Sequence, residues 1–204
     1  MKPFPKDFLR VSAGIYGAAS NSVDVMSYSV YQRWKVAQLE GPVLNAACGT
    51  NPAKLEELGA INLDLFDPEE PQKNPGVRPR KREANFVKGS VFDIPFPDDH
   101  FRTVVLGEFI EHCKYEAAVR AVKECRRVLV PRGNLVLSFP VDGTPREDRV
   151  WFDDGSTDGF AESADVTEHH QTFWSERMVW NLSQEVNMPI LERLGIVPLM
   201  ATCS

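Results

Sequence analysis

No run of apolar residues in this 204-residue sequence approaches the roughly 20 needed to cross a bilayer, so no membrane-spanning helix is expected. The N-terminal stretch MKPFPKDFLR has no apolar run behind its charges, so it does not read as a signal peptide. Cysteine is scarce: Cys48, Cys113, Cys125 and Cys203 are widely spaced and form no CxxC pair. That spacing argues against a disulfide framework and points to reduced thiols in a cytoplasmic protein. Among the histidines, His112, His169 and His170 lack the i,i+4 ligand spacing of a helical metal site, so no metal is expected. Positive charge is also short, with a net charge of -6, which argues against a general duplex-DNA binder because phosphate contacts need clustered Lys and Arg. No GxGxxG follows the first candidate strand, which disfavours a nicotinamide-nucleotide enzyme. There is no internal repeat and no low-complexity tract.

What is present describes a globular protein. Hydrophobic residues make up 43% and charged residues 25%, and the length suits one well-buried core. The reading is a single domain over 1–204: a helical N-terminal lid (1–40), a ligand-binding core (41–140), an acidic loop (141–170), and a helix and strand (171–204). Apolar residues at helical spacing predict an amphipathic helix over 23–40, with Tyr28, Tyr31 and Trp34, which Gly41-Pro42 stops. Strands are expected at 43–47, 60–66, 85–88, 101–107 and 135–139. Helices are expected at 53–58, 115–130 and 175–186, the last capped by Ser175, with a turn at 131–134 and a terminal strand near 190–194. Residues 67–83 hold four prolines and the basic run 78–82, so a loop is expected where a crossover helix would normally lie. Alternating strands and helices imply an α/β fold, a mostly parallel, doubly wound sheet with helices on both faces. Ligands bind beyond the carboxyl ends of such strands.

Two segments carry chemistry on this reading. In VLNAACGTNPAKL (43–55) small residues at the turn let the backbone approach a ligand closely, although a plain strand-to-helix turn looks the same. In INLDLF, Asp64 follows the second strand, where a carboxylate can accept both hydrogen bonds of a ribose diol; a solvated turn aspartate is the equal alternative.

Two further segments, VKGSVFDIPFPDDHFRTVVLGEFIEH (87–112) and VKECRRVLVPRGNLVLSFP (122–140), resemble the class I S-adenosylmethionine-dependent methyltransferases of small-molecule type. The resemblance rests on Gly89, Ile94-Pro95-Phe96-Pro97-Asp98, Phe101, Val104, Glu111-His112, Glu124, Arg127-Val128-Leu129, Pro131, Gly133, Leu135 and Ser138. The segment 43–55 is similar to the family's glycine-rich turn through Val43, Leu44, Cys48, Gly49 and Thr50. It implies a Rossmann-like fold with S-adenosylmethionine as cofactor. The turn with Asn45, Ala47, Cys48 and Gly49 would wrap the methionine part, and Asp64 would hold the ribose. Leu65, Ser90, Val91 and Phe92 would lie along the adenine, with Phe92 equally readable as core. Glu108 would sit near the methyl group.

Departures from the family pattern cluster at the cofactor. Asn45 replaces an acid, Ala47 and Asn51 replace glycines, Ser90 replaces an acid, and Arg102 replaces an aspartate. Methyl transfer is largely alignment and desolvation, with a base needed when the nucleophile arrives protonated. His112 with Glu111 is the first candidate, against a helix-entry capping pair; His169 is the second, with capping of the last helix the alternative. The partner implied is a small polar acceptor such as a sugar or metabolite. The basic run at 78–82 raises an RNA or phosphorylated acceptor, against a solvated loop. A non-catalytic methyltransferase-like binding protein is the other reading.

Overall fold

The computed structural model describes residues 36–39, 41–49, 55–70, 81, 85–139, 172, 174 and 176–191. The tyrosines of the N-terminal helix, most of the proline-rich loop, the acidic loop, His169, His170, the Ser175 cap and residues 192–204 lie outside them.

Five strands form one sheet: β1 (Val43–Ala46), β2 (Ile61–Asp64), β3 (Phe86–Lys88), β4 (Phe101–Gly107) and β5 (Leu129–Ser138). Their order is β3-β2-β1-β4-β5, and every neighbouring pair is parallel. The helices are α1 (Tyr115–Val128) and α2 (Glu176–Glu185). The chain winds outward from β1 through β2 to β3, then crosses back to place β4 on the other side of β1. That reversal opens a crevice at the carboxyl ends of β1 and β4.

Strand residues alternate between two cores, as a sheet covered on both faces requires. Leu44 and Ala46 of β1, Leu63 of β2, and Val104 and Leu106 of β4 pack with Ala118, Val122, Cys125 and Val128 of α1 and Leu182 of α2. Val43, Val105 and Val136 point the other way, against Val36, Leu55 and Ala60. The α1 stripe is the one its spacing predicts. The three described cysteines are buried.

The Rossmann-like α/β expectation holds, with several local corrections. The described part of the helix expected at 53–58 is a short 3-10 turn, Leu55–Leu58. The helix expected to reach 130 ends at Val128. The turn expected at 131–134 lies inside β5: Leu129 pairs with Phe101 and Asn134 with Thr103, so Val130 to Gly133 bulge out opposite the single residue Arg102. Arg132 takes φ 63 there. A side chain at Gly133 would come within 2.8 Å of the Val130 carbonyl, which is why glycine stands at that position. Ile190 and Leu191 are not in a strand.

The amino-terminal edge of the sheet is packed tightly. The Pro42 carbonyl accepts from the Arg102 and Thr103 N–H groups at 2.9 and 3.1 Å. Gly41 has φ 93, and a Cβ there would sit 2.7 Å from that of Arg102. No helix among the described residues is long and apolar enough to cross a membrane.

Candidate active site

The carboxyl edge is built differently. Ala47 turns out of β1 with φ 50, and Gly49 follows with φ 61. A Cβ on Gly49 would meet nothing within 4 Å, so the backbone there borders open space. The turn is tied to β2 at two points: the Cys48 N–H donates to the Leu63 carbonyl at 3.0 Å, and the Gly49 N–H to Asp64 Oδ2 at 2.7 Å. Asp64 Oδ1 accepts from the Phe66 N–H at 2.9 Å, so both oxygens are fixed by backbone donors. The Asp64 carbonyl in turn accepts from Gly89 at 2.8 Å, joining the ends of β2 and β3.

Asn45 lies buried inside β1, its Nδ2 donating to Asn62 Oδ1 of β2 at 2.9 Å. Leu65 is half-buried, immediately after Asp64. Beyond β3, Ser90 Oγ accepts from the Phe92 N–H at 3.1 Å, holding a tight turn in which Val91 is buried. Phe92 meets the Phe109 ring edge-on at 6.0 Å, and the Arg120 guanidinium lies 4.9 Å from its centroid. It therefore packs partly on the core beneath α1, the second of the two readings its sequence position allows.

Glu108 leaves β4 at φ 51, its N–H donating to the Ser138 carbonyl at 2.8 Å. Residues Ile110–His112 then form one 3-10 turn. Glu111 is 1% exposed, and neither of its carboxylate oxygens has a hydrogen-bond partner. Burial pushes the Glu108 carboxyl up to about 7, against a lowering hydrogen bond from Ser138. Burial, and then the neighbouring Glu108, pushes Glu111 up to about 8. His112 is half-buried beside it. The capping alternative for this pair fails: the N-cap of α1 is Lys114, and no side chain caps it.

The segment before α2 closes against this turn, which sequence reasoning missed. The Thr172 N–H donates to the Glu111 carbonyl at 3.1 Å, and Thr172 Oγ1 to the Cys113 carbonyl at 2.6 Å. Trp174, fully buried, donates Nε1–H to the Ile110 carbonyl at 3.1 Å. The motif residues Glu124 and Arg127 stand away from the crevice. Arg127 donates to Glu124, to Asp98 and to the Phe96 and Ile94 carbonyls, clamping the Pro-Phe-Pro loop onto α1. Its hydrogen bond, foremost, holds the Glu124 carboxyl below the usual range. Among the described residues no group of three or more His, Cys, Asp or Glu side chains could hold a metal ion.

A tight turn after β1, an acid closing β2 and a switch point between β1 and β4 are the elements a nucleotide-type site needs. Residues 44–137 match the model of a methyltransferase domain. That match spans 94 of the chain's 204 residues, from β1 to the end of β5. Enzymes with this domain use S-adenosylmethionine as cofactor. No curated protein matches this chain in sequence. Solved structures share its fold. A SAM-dependent methyltransferase from Methanosarcina mazei is 20% identical with a TM-score of 0.54, covering 75% of this chain and 82% of that one. One from Archaeoglobus fulgidus is 16% identical with a TM-score of 0.53, covering 78% and 66%. The 1,6-didemethyltoxoflavin-N1-methyltransferase of Burkholderia thailandensis, solved with 1,6-didemethyltoxoflavin and S-adenosylhomocysteine, is 17% identical with a TM-score of 0.51, covering 79% and 66%.

Proposed function

We propose that this protein is a methyltransferase that moves a methyl group from S-adenosylmethionine to a small polar molecule, such as a sugar or another metabolite. The observation that carries the reading is the convergence of the Ala47–Gly49 turn, Asp64 and Glu108 on one crevice at the carboxyl edge. The residues fit the cofactor: open space borders Gly49, and buried carboxylate oxygens without partners stand at the end of β4. A relative of the same fold that carries a small heteroaromatic substrate and the demethylated cofactor supports the substrate class.

S-adenosylmethionine supplies an electrophilic methyl group, and the chain holds, orients and dries the reactants around it. The turn with Ala47, Cys48 and Gly49, which follows Asn45, would hold the amino-acid part. Asp64, itself fixed by two backbone N–H groups, takes the ribose hydroxyls. Leu65, Ser90, Val91 and the near edge of Phe92 line the adenine. Glu108 would stand near the reacting end, three residues before buried Glu111. His112 beside Glu111 takes the acceptor's proton when the nucleophile arrives protonated, with His169 as the second candidate base.

Calorimetry with S-adenosylmethionine and S-adenosylhomocysteine on the wild type and Asp64→Ala tests the reading. Micromolar binding that weakens at least about tenfold in the variant, a loss of about 1.4 kcal/mol, is the expected result. No binding to folded wild-type protein would overturn it in favour of a non-catalytic partner protein.

A further inference from the structure

Three carboxylate oxygens at the end of β4, Oε1 of Glu108 and both oxygens of Glu111, are buried without a hydrogen-bond partner. Orphaned buried acceptors are few in folded proteins, and a pair of acids sharing them needs a physical account. The two residues stand three apart across a single turn, and the charge of Glu108 acts directly on Glu111. The left-handed backbone at Glu108 and its N–H bond to Ser138 fix where that turn begins. Thr172 and Trp174 seal the turn from the other side.

Among the described residues, none neutralises the pair. The last turn of β5 contributes only the Ser138 hydroxyl, which bonds Glu108. The segment before α2 contributes Thr172 and Trp174, neither titratable. The 3-10 turn contributes half-buried His112, and the start of α1 contributes Lys114, Tyr115 and Glu116. No described cation pairs with either oxygen of Glu111.

We propose that Glu108 and Glu111 form a charge-sensing acid pair that distinguishes a sulfonium ligand from its uncharged thioether counterpart. This rests on the methyltransferase reading and deepens it. Without a positive charge nearby, burial and mutual repulsion keep protons on the pair. A fixed positive charge at the crevice favours the ionised form, so a sulfonium ligand drives protons off. By linkage, raising the pH strengthens sulfonium binding and leaves thioether binding unaffected by the pair. Protonation therefore sets how strongly the crevice prefers the cofactor over its demethylated product.

The test is calorimetry with S-adenosylmethionine and S-adenosylhomocysteine at pH 6 and pH 9, in buffers of different ionisation enthalpy. The ratio of the two affinities should rise about tenfold between those pH values in the wild type. Proton release should accompany the sulfonium alone. In Glu111→Gln the ratio should be flat, with Glu108→Gln as the second variant and thermal melts checking that both fold. A flat ratio with no differential proton release in the wild type would overturn the proposal while both ligands still bind. An equal rise in wild type and both variants would overturn it too. Binding of neither ligand would overturn it together with the methyltransferase reading.

Discussion

Ala47 and Glu108 leave neighbouring parallel strands in the same left-handed conformation, at φ 50 and 51. Side chains other than glycine avoid that region, because Cβ crowds the following carbonyl at a cost of roughly 1–2 kcal/mol. Two such residues on opposite sides of one crevice mark where the fold tolerates strain, and strain of this kind gathers at functional sites.

Ala47→Gly removes one source of it. Relief of the left-handed alanine outweighs the extra freedom glycine gives the unfolded chain, so the variant should gain about 0.5–1 kcal/mol in urea unfolding. Its affinity for S-adenosylmethionine should be equal or better. A loss of stability would mean that the Ala47 methyl makes a packing contribution larger than its strain.

Asp64→Asn keeps the shape but gives up the charge that the Gly49 and Phe66 N–H groups point toward. Charge-assisted bonds exceed neutral ones, so unfolding free energy should fall by about 1–2 kcal/mol, with a larger proportional effect on cofactor affinity. Stability loss without any change in binding would assign Asp64 to the turn alone.

The pH dependence of stability follows from the raised acids. A carboxyl held up in the folded state binds protons there more tightly than in the unfolded chain. The folded protein is therefore favoured below the ordinary value of 4.5, and this contribution is lost as pH rises toward about 7 for Glu108 and about 8 for Glu111. Glu111→Gln should flatten the decline, making the variant more stable than wild type at pH 8.5 by up to a few kcal/mol, and less distinct from it near pH 5. Parallel melting curves for the two proteins across that range would refute the assignment.

Arg127→Lys should unfold more easily by about 2 kcal/mol, because an ammonium cannot reach two carboxylates and two carbonyls at once. Cofactor binding should change far less, since the clamp holds the loop at 94–98 rather than the crevice. A binding loss greater than the stability loss would place the clamp closer to the chemistry than its geometry does.

Much of this was legible in the residues themselves. Phe101–Gly107 is the expected strand without alteration, and the α1 stripe follows its apolar spacing. Residues 131–134 carry turn chemistry, but the same Pro, Arg and Gly also suit a bulge, and only the neighbouring strand decides between them. Asp64 and the turn at Ala47 could be located because a strand end is a local property. Glu108 and Glu111 stand out only through the family resemblance, and the burial of Glu111 could not be read from neighbouring residues because it depends on the tertiary fold. Their spacing of three just past the apolar run Val104–Leu106 is a local sign that they share a turn.

The crowding at Gly41 and Gly133 and the open space beside Gly49 lie at opposite ends of the same sheet. A substitution at Gly41 or Gly133 strikes backbone or a packed side chain, while one at Gly49 chiefly alters what the crevice meets. Such a division lets a lineage explore new acceptors without first solving the folding problem again. Ala47 stands in the same turn as Gly49, where divergence is cheapest to survive.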